Sequence, residues 1–312
     1  MVRRPLGKTA LQIHPLVLGG NVFGWTADER SSHAILDAYV AGGGNFIDTA
    51  NVYSVWVPGH RGGESESVIG SWLARRGRRD DVLIATKVGW EMGPGQKGLS
   101  APYILQSVEE SLRRLRTDYI DVYFSHRDDT SLGVEEPLRA YEQLLASGKI
   151  RVIGASNFTT PRLRESLAVA GLPHYGVLQP QYNLVERDDF EGELQALCIE
   201  QGLGVVCYFA LASGFLTGKY RSRTDLSRSP RGQGIGRYLA GRGPAVLRAL
   251  DEVAAAQGAR PSQIALAWLM AQPGVTAPIA SATSVAQVEE LLAATRVTLT
   301  PQQLALLSGA GR

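Results

Sequence analysis

The sequence predicts an α/β fold, a closed (β/α)8 barrel of the TIM type preceded by a small N-terminal β-hairpin, and three observations carry that prediction. From residue 15 onward, apolar runs alternate with amphipathic stretches, the pattern of repeated βα units around a parallel sheet. The stretch Gly42 to Tyr53, GGGNFIDTANVY, ends a helix, crosses a short buried strand and delivers an acid and a phenol at that strand's carboxyl end, where α/β proteins carry their chemistry. The first strand is followed by Leu18-Gly19-Gly20-Asn21-Val22-Phe23-Gly24, whose glycines lack the GxGxxG spacing of an open nucleotide-binding sheet. A doubly wound open sheet is therefore the second choice, and residues 1–312 are read as one domain.

Arg3 to His14 reads as the hairpin, turning at Gly7-Lys8. The strand candidates lie at 16–18, 45–47, 82–86, 119–124, 150–155, 177–180, 204–208 and 275–278. Helices are expected at 31–41, 64–75, 101–115, 134–147, 160–170, 190–201, in two pieces at 244–257 and 261–271, and at 285–294. Ala34-Ile35-Leu36 and Tyr39-Val40 give the first helix its apolar face, and the glycines at 42 to 44 stop it. Gly148 and Gly202 end two others, while Pro161 and Pro261 open two more. The stretch 224–243, rich in Arg, Ser and Gly, is expected to be an irregular loop over the barrel mouth.

A net charge of +2 argues against a nucleic-acid or acidic-membrane partner, and no apolar run approaches the roughly 20 residues of a membrane span. Arg3-Arg4 is not read as an export signal, because Lys8, Gln12 and His14 interrupt the segment after it. Cys198 and Cys207 fall in a helix and the next strand, as small buried hydrophobes. The expected location is cytoplasmic, and nothing in the sequence specifies an oligomeric state.

Polar residues gather where strands end. Asp48 and Tyr53 follow the second strand, Lys87 closes the third and His126 the fourth. A lysine at the end of so apolar a strand, Leu83-Ile84-Ala85-Thr86, is expected to be partly buried and to need a carboxylate, for which Asp48 is placed. Tyrosine's reference pKa of about 10 is high for acid–base work, and a nearby ammonium lowers it. With His126 directing a carbonyl oxygen, the set suits proton donation to a C=O under hydride attack. A metal site of His126, Asp128 and Asp129 would need further His or carboxylate strand ends, which are few.

Ser156, Asn157 and Gln181 follow the fifth and sixth strands and suit a carboxamide, and Tyr208 offers a flat face. Gly214-Phe215-Leu216-Thr217-Gly218-Lys219 supplies backbone amides and a cation suited to a pyrophosphate. Phe23, Trp25, Trp56 and Trp90 are the candidate substrate-pocket residues, an aromatic mouth that would suit a sugar or ring carbonyl.

Through GGNFIDTANVY with Glu66 to Gly70, ATKVG, Ser125-His126, GASNF, QPQYN and GFLTGK, the chain resembles the aldo-keto reductase family over nearly its whole length. The resemblance implies the (β/α)8 barrel and reduction of a small carbonyl compound by NADPH, without metal. It implies Tyr53 as general acid, tuned by Lys87 and Asp48, with His126 orienting the carbonyl. It further implies a cofactor held by Ser156, Asn157, Gln181, Tyr208, Leu211, Gly214, Leu216, Lys219, Ser281, Thr283, Gln287 and Glu290. Barrels of this family also include nicotinamide-sensing channel subunits, the alternative function.

The chain departs from the family pattern in three places. Tyr208-Phe209-Ala210-Leu211 stands where YSPL is usual, and Ser54 to Gly63 can bring Trp56 over the mouth. After the eighth strand, Ser281-Ala282-Thr283-Ser284, Gln287, Glu290 and Leu291 include no cation. Hydroxyls bind a phosphate more weakly than a guanidinium does, so NADH is expected to be accepted beside NADPH unless a basic group arrives from elsewhere, for instance from the stretch 221–237.

Overall fold

The computed structural model describes residues 3–229 and 232–312, so Pro230 and Arg231 of the Arg-rich stretch lie outside the described residues. A two-stranded antiparallel hairpin, β1 (Arg4–Pro5) and β2 (Gln12–Ile13), precedes the barrel. The barrel strands are β3 (Val17–Gly19), β4 (Phe46–Asp48), β5 (Leu83–Val88), β6 (Ile120–Ser125), β7 (Ile150–Ser156), β8 (Val177–Gln179), β9 (Gly204–Cys207) and β10 (Ala277–Ala280). All pair in parallel with their neighbours, and β10 returns to β3 to close the ring. Closure leaves no sheet edge to protect.

Around it run α1 (Glu29–Ala41), α2 (Glu64–Arg76), α3 (Ala101–Leu115), α4 (Glu135–Ala146), α5 (Thr160–Leu167), α6 (Glu193–Gln201), α7 (Gly243–Gln257), α8 (Pro261–Met270), α9 (Val285–Ala293) and α10 (Pro301–Ala310). The chain leaves α1 through Gly43 at φ 93°, and Gly44 packs so closely on the Tyr39 ring that a Cβ there would lie 2.2 Å from it. Glu66 of α2 is fully buried, accepting from Thr86 Oγ1 at 2.5 Å and Arg114 Nε at 2.6 Å, so one carboxylate ties α2 to β5 and α3.

Inside the ring, Val17, Phe46, Ala85, Val122, Phe124, Val177, Val206, Ala277 and Ile279 form one apolar cluster with Leu6 and Ile13 of the hairpin. The hairpin therefore plugs the amino-terminal end of the barrel, and its Lys8 amide donates to the Gly202 carbonyl at 2.9 Å. A larger apolar shell lies between sheet and helices. Cys198 and Cys207 are buried in it, and burial pushes the Cys198 thiol up to about 12, which makes it inert.

Several boundaries differ from the sequence reading. β4 takes in Asp48, which is therefore a strand residue rather than a loop residue, and β5 runs past Lys87 to Val88. β10 begins at Ala277 and ends at Ala280, α5 stops at Leu167, and α6 starts at Glu193. The supposed irregular loop contains 3-10 turns at Arg223–Arg228 and Gly232–Leu239. α10 was missed, although Thr300 caps it, Pro301 opens it and Gln303 closes the capping box.

At the amino-terminal rim, Asp121 is fully buried and holds three strands together. It accepts from Arg79 Nη2 at 2.6 Å, the Ile84 amide at 2.8 Å and Arg151 Nη1 at 2.8 Å. This end of such a barrel serves stability. Asp121→Ala leaves those donors without their acceptor and should cost about 3 kcal/mol, discounted for the partly exposed arginines. Urea unfolding checks this, and a loss below about 1 kcal/mol would contradict the clamp role.

Candidate active site

Strand alternation builds the site. In a strand, residues two apart share a face. Stepping two residues from the interior apolar positions Val17, Phe46, Ala85, Phe124, Val177, Val206 and Ile279 reaches Gly19, Asp48, Lys87, His126, Gln179, Tyr208 and Ser281. The barrel filling thus changes from hydrocarbon to polar in its uppermost layers.

Lys87 is wholly buried. Its Nζ donates to Asp48 Oδ2 at 2.8 Å, to the Thr49 carbonyl at 2.7 Å and to the Tyr53 hydroxyl at 2.9 Å, a partner for each of its three protons. Asp48 also accepts from the Tyr53 hydroxyl at 3.2 Å and, on Oδ1, from Gln179 Nε2 at 2.8 Å. Burial lowers the Lys87 pKa while the adjacent Asp48 charge opposes that shift. His126 lies beside Tyr53, with ring centroids 6.0 Å apart. Burial first, and the Lys87 charge second, hold its imidazole well below its ordinary pKa, so it is neutral at neutral pH. Its Nδ1 is buried without a hydrogen-bond partner among the described residues.

Asp48, Tyr53 and His126 line one end of a cavity of about 1280 Å³, larger than a drug-sized pocket and roomy enough for a dinucleotide beside a small substrate. Of the residues named from sequence, Asp48, Tyr53, His126, Ser156, Asn157, Gln181, Tyr208, Leu211, Gly214, Lys219, Ser281, Thr283, Gln287 and Glu290 line it, as do Trp25, Trp56 and Trp90. Three do not. Lys87 is enclosed behind Asp48 and Tyr53. Phe23 is fully buried in the outer core, and so is Leu216, because each side chain falls on the packed face of its turn.

Polar groups span the middle of the cavity. Asn157 accepts from the Tyr208 hydroxyl at 2.6 Å and donates to the His126 carbonyl at 2.9 Å, while Ser156 Oγ donates to the Gln179 carbonyl at 2.8 Å. Gln181 sits further out, bonded to Glu186. Asp128, weighed as a metal ligand, is instead engaged by Arg162 at 2.9 and 3.1 Å. Among the described residues, no three His, Cys, Asp or Glu side chains converge to hold a metal ion.

Three of the lining residues that were given no site role from sequence stand out. Gln179 was passed over for Gln181, although the two-residue step from the interior Val177 marks it. Phe209 stands in a left-handed conformation (φ 53°), followed by Ala212 at 47° and Ser213 at 58°. That costly turn is fastened by Asn183 Nδ2 and the Ala212 amide, which donate to the Phe209 carbonyl at 3.0 and 2.7 Å. Arg260 is the third. The segment after β10 itself carries no cation, and Arg260 arrives from elsewhere in the chain: it lines the cavity with Gln287 and Glu290 and pairs with Glu290 at 2.8 Å. It lies far in sequence from the segment after β10, so no local motif pointed to it.

The aldo/keto reductase family model matches residues 15–311. The chain is 34% identical to the uncharacterized oxidoreductase YrpG of Bacillus subtilis, covering 97% of this chain and 94% of that one. It is also 34% identical to a probable voltage-gated potassium channel subunit beta of Arabidopsis thaliana, covering 95% and 92%. Identity is 31% to the Schizosaccharomyces pombe aldo-keto reductase yakc [NADP(+)], covering 88% and 80%. An eight-stranded closed barrel with this strand-end chemistry, matched along almost its full length, belongs to the aldo/keto reductase family and is an NAD(P)H-dependent oxidoreductase that reduces carbonyl compounds.

Proposed function

We propose that the chain reduces an aldehyde or ketone, with Tyr53 giving the proton to the carbonyl oxygen while a bound dihydronicotinamide supplies the hydride. The observation that carries this reading is the Tyr53 hydroxyl lying 2.9 Å from Lys87 Nζ and 3.2 Å from Asp48 Oδ2 in the cavity wall. The ammonium stabilises the phenolate left when the proton departs, and Asp48 keeps that ammonium charged against the cost of burial. His126, neutral, donates one ring N–H to the carbonyl oxygen and fixes it in front of the phenol.

The donor set fits a nicotinamide dinucleotide. Ser156, Asn157 and Gln181 would hold the carboxamide, with Gln179 close by, and Tyr208 would offer its flat face to the ring. Gly214 and Lys219 take the pyrophosphate, and Ser281, Thr283, Gln287 and Glu290 the adenosine end. That last segment by itself admits both NADPH and NADH.

The substrate lies at the other end. Trp25 and Trp56 meet edge to face at 5.5 Å, Trp56 lies 6.3 Å from Tyr53, and Trp90 lies 5.5 Å from His126. An unbroken run of rings around the phenol favours a carbonyl carried on a ring, a sugar ring included. A nicotinamide-sensing role is the second reading, favoured only by the likeness to proteins named as potassium channel beta subunits.

Tyr53→Phe should keep cofactor affinity within about threefold while carbonyl reduction falls by roughly three orders of magnitude or more, since proton donation alone is removed. Wild-type turnover by that variant would end the assignment. Lys87→Met should be nearly as inactive yet lose less than about 3 kcal/mol in urea unfolding, because Asp48 can take up a proton. A fully active variant would sink the tuning role.

His126 makes a pH prediction. Below about pH 6.5 the unfolded chain binds a proton there that the folded chain refuses, so this residue subtracts stability increasingly as pH falls. His126→Asn should therefore lose less of its urea midpoint than the wild type between about pH 7.5 and about pH 5.5. Equal losses would mean that the imidazole is not held neutral.

A further inference from the structure

We infer that Arg260 reads the 2′-phosphate that distinguishes NADP from NAD, so that this protein prefers NADPH although the segment after β10 carries no cation. The inference rests on the reading of the cavity as a dinucleotide site. Among the described lining residues, Lys219 and Arg260 are the cationic ones, since Lys87 is enclosed behind Tyr53 and Asp48. Their positions divide the work. Lys219 follows the Gly214–Gly218 turn near the strand tops, whereas Arg260 shares its end with Thr283, Gln287 and Glu290, the groups assigned to adenosine.

Local structure places the guanidinium there. Pro261 opens α8 and holds Arg260 extended, at φ −96° and ψ 152°. The Arg260 amide donates to Gln263 Oε1 at 2.9 Å, which steadies the turn. Nη1 then pairs with Glu290 Oε2 at 2.8 Å, while the side chain stays 73% exposed. One ion pair uses a small part of a guanidinium's five donors, and the remainder can receive a phosphate.

Acidic neighbours do not cancel this. Both Glu290 oxygens are engaged, one by Arg260 and the other by Ser262. Glu289 shares an outer recess with Arg260, Gln287 and Glu290 but does not line the main cavity, and it is exposed, so solvent screens its charge. Gln287 Oε1 accepts from the Thr283 amide at 2.8 Å, which holds that amide side chain beside the same spot. A guanidinium flanked by an amide and hydroxyls matches a phosphate monoester, whereas an unmodified ribose offers no charge for it.

The test is calorimetric binding of NADP⁺ and NAD⁺ at one ionic strength, with no turnover required. Wild-type protein should bind NADP⁺ at least about tenfold more tightly, and Arg260→Ala should lose about tenfold to a hundredfold for NADP⁺ but under about threefold for NAD⁺. Equal losses for both ligands would assign Arg260 to the pyrophosphate instead and overturn the inference, as would no loss for either. The variant also frees the Glu290 carboxylate, so Arg260→Ala/Glu290→Gln is measured beside it. It should keep the loss, and a return to the wild-type preference would show that repulsion by Glu290 caused the effect. Wild-type protein that bound neither dinucleotide would overturn the reading of the cavity together with this inference.

Discussion

A fully buried ammonium inside the barrel, held by one carboxylate, constrains much of the rest. Taking either ion of the Lys87–Asp48 pair out of water costs several kcal/mol, and their attraction offsets that only if every remaining proton and lone pair is placed. The placement comes from separate parts of the chain. β4 brings Asp48 and the Thr49 carbonyl, β5 brings Lys87, β8 brings Gln179 from across the ring, and the loop after β4 brings Tyr53. Asp48, Thr49, Tyr53 and Lys87 come from two neighbouring strands and the loop after one of them, whereas Gln179 reaches Asp48 because the sheet closes on itself.

The same low-polarity surroundings set the character of the neighbouring groups. His126 stays neutral because burial and the adjacent ammonium both disfavour its cation. A neutral imidazole and a phenol that rests on an ammonium thus stand side by side in the cavity wall. The tryptophans surround this spot without adding an ionised side chain of their own.

Toward its other end, the cavity leaves the barrel axis and runs past the loops after β7 to β10. Here the backbone is strained. Phe209, Ala212 and Ser213 occupy left-handed backbone conformations that non-glycine residues rarely adopt, and tertiary hydrogen bonds to the Phe209 carbonyl hold the turn. The turn brings Gly214 and Lys219 to the cavity wall, and the start of α8 packs close by, with Pro261 near Gly218.

The order of strands and helices was legible in the sequence because apolar periodicity and Gly or Pro punctuation are local signals. The grouping of Asp48, Tyr53, Lys87 and His126 was legible too, since each ends or follows a barrel strand and its side-chain type is out of place in hydrocarbon. The second barrel strand was read one residue short, which put Asp48 in a loop, whereas the sixth was read one residue long, to Pro180, which turned attention from Gln179 to Gln181. Whether an aromatic faces cavity or core depends on the packing of its turn, and Phe23, two residues from Trp25, fell on the core side. Arg260 could be assigned only by tertiary structure, because its place beside Glu290 and Gln287 comes from the docking of α8 against α9. Spacing along the chain carries no trace of such an encounter. By itself the sequence determined the repeating units, the direction in which their side chains alternate and the chemistry stored at the strand ends. Closure of the ring decided which of those residues meet, because residues distant in the chain become neighbours only when the last strand pairs with the first.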